Sequence, residues 1–220
     1  VDRIWKAIDR NEPVVVFGDY DVDGISSTAL MVQVLTKLGA RITPFLPHRI
    51  DDGYGLSVEP LKRCMETWNP KLLITVDCGT GSVEAAEWAR AAHLDVIVTD
   101  HHEASGPVAP VLALVNPKLG TEERIKALAG VGVAFKLCHA LVKKGREAGM
   151  PAAAATDLRD YLDLVGIGTI ADIVPLQDEN RIYARHGLVR LNKTESIGLK
   201  SLVEVAGTKG DIESYHVGFI

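Results

Sequence analysis

Val14-Val15-Val16-Phe17-Gly18-Asp19-Tyr20-Asp21-Val22-Asp23-Gly24 joins an apolar run to an acidic turn, and an apolar, helix-compatible segment from Ile25 to Leu38 follows. The run has the length and β-branched content of a buried strand. Strand, turn and helix in that order place the carboxylates at the carboxyl end of a first parallel strand, where open α/β sheets hold their ligands. Asp19, Asp21 and Asp23 alternate along the turn, and so dense a cluster is strained by repulsion unless protons or cations neutralise it. A hard divalent cation is the simplest neutraliser; a solvated acidic turn is the other reading of an isolated D-x-D-x-D. Gly18 and Gly24 allow the backbone to turn sharply on either side.

Strand-like and helix-like segments alternate outward from this stretch. After the Ile25 helix come Arg41 to Leu46, a helix around Ser57 to Thr67, the run Leu72 to Val76, a helix from Ser82 to Ala92, Asp95 to Thr99, and a short run from Val111 to Val115. The pattern predicts an α/β fold, a mostly parallel sheet with helices on both faces. Beyond Asn116-Pro117 the chain reads as mainly helical: Val133 to Val142, Ala152 to Val165, a turn rich in Gly166 and Gly168, Asn180 to Leu191, and Gly198 to Val205.

Two further strand ends carry the same chemistry as the first. Leu72 to Val76 delivers Asp77, and Asp95 to Thr99 delivers Asp100-His101-His102. In a parallel sheet these ends share one edge with Asp19 and Asp21. A further acid, Asp172, sits among apolar residues, where a lone carboxylate is costly unless paired or bound to a cation. Each has a plainer reading: Asp100 as a loop cap, Asp77 as the cap of the next helix, Asp172 as a partner of Arg181 or Arg185. Together they point to a metal centre.

The 220 residues allow a sizeable core, as one large domain or one with an appended helical lobe. A net charge of −5 argues against a generally basic surface for nucleic acid, though not against a local groove. No stretch has the length of a membrane span and Val1 to Ile8 does not resemble a secretory signal, so the expectation is a cytoplasmic protein. Cys64, Cys78 and Cys138 are far apart and read as reduced, buried thiols.

At Asp100-His101-His102 the sequence resembles the DHH phosphoesterases. Gly18 to Gly24, Pro47-His-Arg-Ile-Asp-Asp-Gly-Tyr-Gly55, Thr75-Val-Asp-Cys-Gly79, Val98 to His102, Gly130 to Phe135 and Gly166 to Leu176 carry the likeness across nearly the whole chain. The Pro47 to Gly55 segment is similar to the exonuclease branch rather than to the pyrophosphatases. The resemblance implies that Asp19, Asp21, Asp77, His101 and Asp172 ligate one or two Mn²⁺ or Mg²⁺ ions. The imidazole puts Mn²⁺ ahead. It implies a 5′ to 3′ exonuclease specific for single-stranded DNA that releases 5′-mononucleotides in repair and recombination. The alternatives are a phosphodiesterase for dinucleotides or short oligonucleotides, and a non-catalytic DHH binding module. Many relatives have a histidine four residues before the first aspartate, where this chain has Val15.

Other roles are expectations of the same kind. Asp23 is a carboxylate behind the ligands, or a simple bond to the following helix; Asp100 stands behind the ligands too. His102 contacts the scissile phosphate or donates a proton. Arg49 takes a substrate phosphate with His48 beside it, against a salt bridge to Asp51 or Asp52. Gly130 and Gly132 serve close helix packing or offer amides to a phosphate. The resemblance makes residues 1–220 a catalytic domain, with a sheet part to about 117 and a helical part from about 118 that carries Asp172. It also implies that a second, nucleic-acid-gripping domain normally follows. Helicase or single-strand-binding partners are not legible in the residues.

Overall fold

The computed structural model describes residues 1–53 and 55–219; Tyr54, inside the Pro47 to Gly55 motif, and Ile220 lie outside the described residues, as does the side chain of Phe219. The elements in chain order are α1 (Asp2–Asp9), β1 (Pro13–Phe17), α2 (Val22–Lys37), β2 (Arg41–Phe45), α3 (Val58–Trp68), β3 (Leu72–Val76), α4 (Val83–Ala91), β4 (Asp95–Thr99) and β5 (Ala113–Val115), then α5 (Gly130–Glu147), α6 (Pro151–Ala154), α7 (Leu162–Ala171), α8 (Asp178–Leu191), α9 (Ile197–Val205) and α10 (Ser214–Phe219). The strands form one parallel sheet in the order β2-β1-β3-β4-β5.

Period-two alternation divides the strands between two cores. Val14, Val16, Leu72, Ile74 and Ile97 pack with Leu30, Met31, Val34 and Leu35 of α2 and with Leu137 and Leu141 of α5. Val15, Phe17, Leu73, Val96 and Val98 face Leu61 and Cys64 of α3 and Ala85 and Ala89 of α4. Each large aliphatic side chain buried in this way contributes about 1.5–3 kcal/mol relative to exposure. The chain therefore has helices on both faces of a parallel sheet, the predicted fold class. The first core runs from α1 through α7, so α5, α6 and α7 share one interior with the sheet. The three cysteines are free and buried.

Register sets up the site. Phe17 pairs with Thr75, Val76 with Thr99, and Thr99 with Val115. Continuing each ladder puts Asp19, Asp77, Asp100 and Asn116 at one level just past the strand ends, and Asp77 N–H to Thr99 O (2.9 Å) and Asp100 N–H to Val115 O (3.0 Å) extend the pairing. Because β1 leads to β2 on one side and neighbours β3 on the other, the crevice between β1 and β3 is the topological switch point.

The helical half departs from expectation in two places. The predicted Ala152 to Val165 helix is broken after Ala154. Arg146 caps its carbonyls at Ala153 and Thr156, and Asp157 accepts the Arg159 amide to start a separate turn over Leu158–Tyr161. Gly166 and Gly168 do not make a turn; α7 runs straight through them. They are glycines because other elements approach closely: a Cβ on Gly166 would lie 2.6 Å from Gly187 Cα of α8, and one on Gly168 would lie 2.3 Å from Ser26 Oγ. The strand and helix pattern does not announce α1, whose Ile4, Trp5 and Ala7 are buried in the first core. No helix among the described residues is long and apolar enough to cross a membrane.

Candidate metal centre

The acidic turn after β1 is pinned by its own side chains. Asp21 caps α2 by accepting the Gly24 amide (2.9 Å), and Asp19, which is buried, accepts the Tyr20 amide (2.7 Å). Gly24 is required because a Cβ there would stand 2.5–2.6 Å from Asp19 atoms, backbone included. Asp77 turns off β3 with φ of 62°, a left-handed conformation that aspartate tolerates better than most residues. The peptide beyond it is held by Thr75 Oγ1 donating to Cys78 O at 2.7 Å.

The predicted ligands converge. Asp19, Asp21 and Asp77 can each bring a donor atom within 4.8 Å of the others; so can Asp77, His101 and His102, and so can Asp23, His101 and Asp172. His101 Nε2 stands 3.1 Å from Asp77 Oδ1, 3.6 Å from Asp172 Oδ2 and 3.8 Å from Asp23 Oδ2. Asp77 Oδ1, His101 Nε2 and Asp172 Oδ2 are buried and none makes a hydrogen bond. Orphaned buried polar atoms need an explanation, and oxygen and imidazole donors aimed at one another fit a divalent cation. The carboxyls say the same. Burial is the main cause that pushes Asp19, Asp23, Asp77 and Asp172 upward, Asp77 to about 9. The charge of Asp21 adds to the effect on Asp19, Asp77 and Asp172. Asp172 is paired with neither Arg181 nor Arg185; its Oδ2 faces the His101 ring instead, 3.6 Å from Nε2.

Behind the cluster lies a set of bonds that fixes it. Asp23 accepts the amides of Gly130 (2.6 Å) and Val131 (2.8 Å), tying the start of α2 to the start of α5. Those two amides are thereby taken by a carboxylate rather than left for a phosphate, and both glycines are closely packed, a Cβ on Gly130 lying 2.4 Å from Asp77 Oδ1 and one on Gly132 3.2 Å from Leu128 Cδ2. Asp100 accepts from Thr80 N (2.9 Å), from His101 N (2.7 Å) and from His102 N (3.2 Å), and its Oδ1 is 2.8 Å from His102 Nδ1. Burial alone would raise Asp100, but the bonds from His102 and Thr80 outweigh it and bring it to about 2. The same bond to Asp100 pushes His102 up to about 9 against its own burial.

Two expected phosphate contacts are placed less directly. His48 Nδ1 pairs with Asp51 at 2.8 Å on the surface. Arg49 lies over the ring of Tyr20, 5.0 Å from its centroid, and so at the rim of the acidic turn. Asn116, in the sequence only punctuation before Pro117, is a residue that pattern reading misses. It is buried and its Nδ2 donates to Thr80 Oγ1 and His102 O, both at 2.8 Å, while its Oδ1 caps the turn at Lys118. Its place at a strand end, level with Asp100, is the available signal.

The chain matches the DHH family, N-terminal domain, over residues 13–169. It is 43% identical over 220 residues to the single-stranded-DNA-specific exonuclease RecJ of Bacillus subtilis, covering 99% of this chain and 26% of that protein. A crystal structure of exonuclease RecJ bound to manganese superposes with a TM-score of 0.85 at 35% identity, over 99% of this chain and 53% of the other. RecJ from Thermus thermophilus in complex with Mn²⁺ gives 0.80 at 33% identity, over 99% of this chain and 30% of that one, and its Mg²⁺ complex gives 0.66 at 31%, over 99% and 26%. The chain thus spans about a quarter of the length of its Bacillus relative and about half or less of these solved chains.

Proposed function

The chain belongs to the DHH family, and on that premise we propose that it is a metal-dependent phosphodiesterase acting as a 5′ to 3′ exonuclease on single-stranded DNA. The observation that carries the reading is the convergence of Asp19, Asp21, Asp77, His101 and Asp172 at the β1/β3 crevice, with buried atoms of three of them left without partners. Those five residues would hold one or two Mn²⁺ or Mg²⁺ ions. When bound, such an ion supplies the positive charge that polarises a phosphoryl group and makes water a better nucleophile.

The remaining work belongs to the chain. Asp100 accepts from Nδ1 of His102, which orients the ring and keeps it protonated at neutral pH, so that the other ring nitrogen also carries a proton it can donate to a phosphate oxygen or a departing alkoxide. Arg49, at the mouth, offers a planar pair of donors to a phosphate, and His48 stands beside it. Asp23 keeps α5 in place behind the ligands. The surrounding carboxylates repel a strand's phosphates until cations neutralise them, so substrate binding and metal binding are coupled.

Release of 5′-mononucleotides, a part in DNA repair and recombination, and a cytoplasmic setting belong to the same proposal. So does the grouping of residues 1–220 as a catalytic domain, with a sheet part to about 117 and a helical part carrying Asp172. The relatives' names, which specify single-stranded DNA, support the substrate. The test is hydrolysis of 5′-labelled single-stranded DNA with Mn²⁺, with chelator, and by Asp77→Ala, beside a dinucleotide. Mn²⁺-dependent release of labelled mononucleotide, lost with chelator and in the variant, is the expected result. Cleavage confined to the dinucleotide would replace the substrate with short oligonucleotides. Failure to cleave either, with no Mn²⁺ bound by calorimetry, would overturn the reading.

A further inference from the structure

Ile173 follows Asp172 with φ of 58°, and it is 87% exposed. A β-branched residue in the left-handed region is an outlier that persists only where its surroundings hold it there. Here they do. Asp172 N–H donates to Gly168 O (3.0 Å) and Ile173 N–H to Ile170 O (3.2 Å), closing the end of α7. Buried Asn180 then donates through its side-chain amide to Pro175 O (3.1 Å) and to Ala127 O (2.5 Å). Asn180 thus staples the segment after Asp172 to the segment before α5.

Both segments wall a cavity of about 610 Å³ that also reaches His101 and His102. Cavities of several hundred Å³ accept whole small molecules, so there is room for a nucleoside beside the phosphate at the metal cluster. Lys118 and Lys126 line the same cavity, with side chains 27% and 33% exposed. Their partners are Glu103 (3.3 Å) and Glu123 (2.6 Å), carboxylates 79% exposed. Such surface pairs are weak, and exchanging a solvated carboxylate for a phosphate costs the lysines little.

We propose that this cavity is a subsite for the nucleotide next to the scissile linkage, in which Ile173 packs against the face of the base and Lys118 and Lys126 hold the phosphate that follows. The subsite rests on the phosphodiesterase reading above. An apolar contact to a base face and cationic contacts to a phosphate carry no base identity, so the strand is gripped without regard to sequence. The strained backbone at Ile173 keeps the side chain presented to the cavity when no strand is there.

The experiment compares wild type, Ile173→Gly and the double variant Lys118→Gln with Lys126→Gln. Glycine adopts the positive φ without strain, so the first variant keeps the fold. Two readouts are taken: kcat and KM with Mn²⁺ for a thymidine trinucleotide and for bis(4-nitrophenyl) phosphate, and anisotropy binding of a 3′-labelled trinucleotide with Ca²⁺ in place of Mn²⁺. The expected result is a rise in KM and Kd for the trinucleotide of about fivefold to tenfold in each variant, several times larger than any change with bis(4-nitrophenyl) phosphate. A trinucleotide whose second linkage is an uncharged methylphosphonate binds wild type as weakly as the lysine variant, and the lysine variant no worse. Unchanged Kd for the trinucleotide, or equal losses on both substrates, overturns the subsite. If wild type hydrolyses neither substrate, the phosphodiesterase reading falls instead, and the binding arm alone decides the subsite.

Discussion

Gly130 lies directly against the Asp77 carboxylate: a Cβ on Gly130 would stand 2.4 Å from Asp77 Oδ1 and 2.7 Å from Cγ. The first residue of α5 is therefore shaped by a candidate ligand that leaves the sheet at the end of β3. Gly130→Ala forces Asp77 away from His101, because the helix start is fixed by the Asp23 bonds and the short side chain is the part that yields. The expected outcome is Mn²⁺ affinity reduced at least about tenfold, with a stability loss of about 1–3 kcal/mol. Calorimetric titration with Mn²⁺ and urea unfolding check the two parts. Affinity equal to wild type would mean that Asp77 is not a ligand or that α5 shifts at its start.

The carboxyl cluster gives the metal-free protein a distinctive pH dependence. A carboxyl whose folded pKa lies above its unfolded value stabilises the fold while protonated in both states, and that stability is lost as pH rises from the unfolded value to the folded one. Asp77, pushed by burial to about 9 from 3.8, defines the window, and Asp23 and Asp172 act in the same direction. In chelator the protein should melt lower at about pH 8 than at about pH 5, and saturating Mn²⁺ should remove most of the difference. Asp77→Asn raises the melting temperature in chelator near pH 8 by about 4 °C or more and weakens the stabilisation by Mn²⁺. Differential scanning at the two pH values, with and without Mn²⁺, is the check.

The sheet and most of the cluster were legible because they follow from local pattern. β-branched runs such as Leu72 to Val76 mark strands, and a parallel sheet brings the residues after them to one edge. Asp172 was reachable as a carboxylate in apolar surroundings. What was hidden depends on contacts between distant elements. Gly166 and Gly168 read as a turn, yet they sit in α7 where α8 and α2 press closest. Asp23 could not be assigned from its turn, since its partners are amides more than a hundred residues later. Asn116 looked like a loop residue because its bonds to Thr80 and His102 exist only after β5 joins the sheet.

Those bonds make Asn116 a positioning residue for His102. Asn116→Ala removes the amide that donates to the His102 carbonyl and the Thr80 hydroxyl, at a stability cost of about 1–3 kcal/mol. The expected outcome is kcat on single-stranded DNA lowered by about ten- to a hundredfold, with Mn²⁺ affinity within about threefold of wild type. A lowered Mn²⁺ affinity of the same size as the kcat loss would show that Asn116 acts on the whole strand edge rather than through His102.

The crossing of α7 and α8 has no slack. A Cβ on Gly187 would lie 2.5 Å from Gly166 Cα and 2.6 Å from Leu162 O, both backbone atoms that cannot turn aside. Gly187→Ala should therefore cost about 2–3 kcal/mol despite the gain in helix propensity. Gly198 in α9 meets nothing within 4 Å, and Gly198→Ala should stabilise by about 0.5–1 kcal/mol. Urea unfolding of the pair gives opposite signs if packing, not propensity, decides the α7–α8 contact.

Glu179, which is not one of the clustered carboxyls, supplies a pH dependence of the opposite sign. Burial works to raise it, but Lys136 Nζ at 2.6 Å and the Tyr183 hydroxyl at 2.6 Å outweigh that and hold it below the usual glutamate value of 4.5. A depressed carboxyl stabilises the fold above its unfolded pKa and loses that contribution as pH falls through the folded value. The Lys136 bond joins α5 to α8, whereas the Tyr183 bond lies within α8; with the Lys136 side chain 45% exposed, screening keeps the cross-helix contribution to about 1 kcal/mol. Acid thus relieves the metal-free cluster while it weakens this contact, and only a difference measurement separates them. Wild type should exceed Glu179→Gln by about 1 kcal/mol at about pH 6, and the gap should close at a pH well below the usual 4.5. Urea unfolding in chelator at both pH values measures it; a gap that persists at the lower pH would assign the contribution to packing of the side chain rather than to its charge.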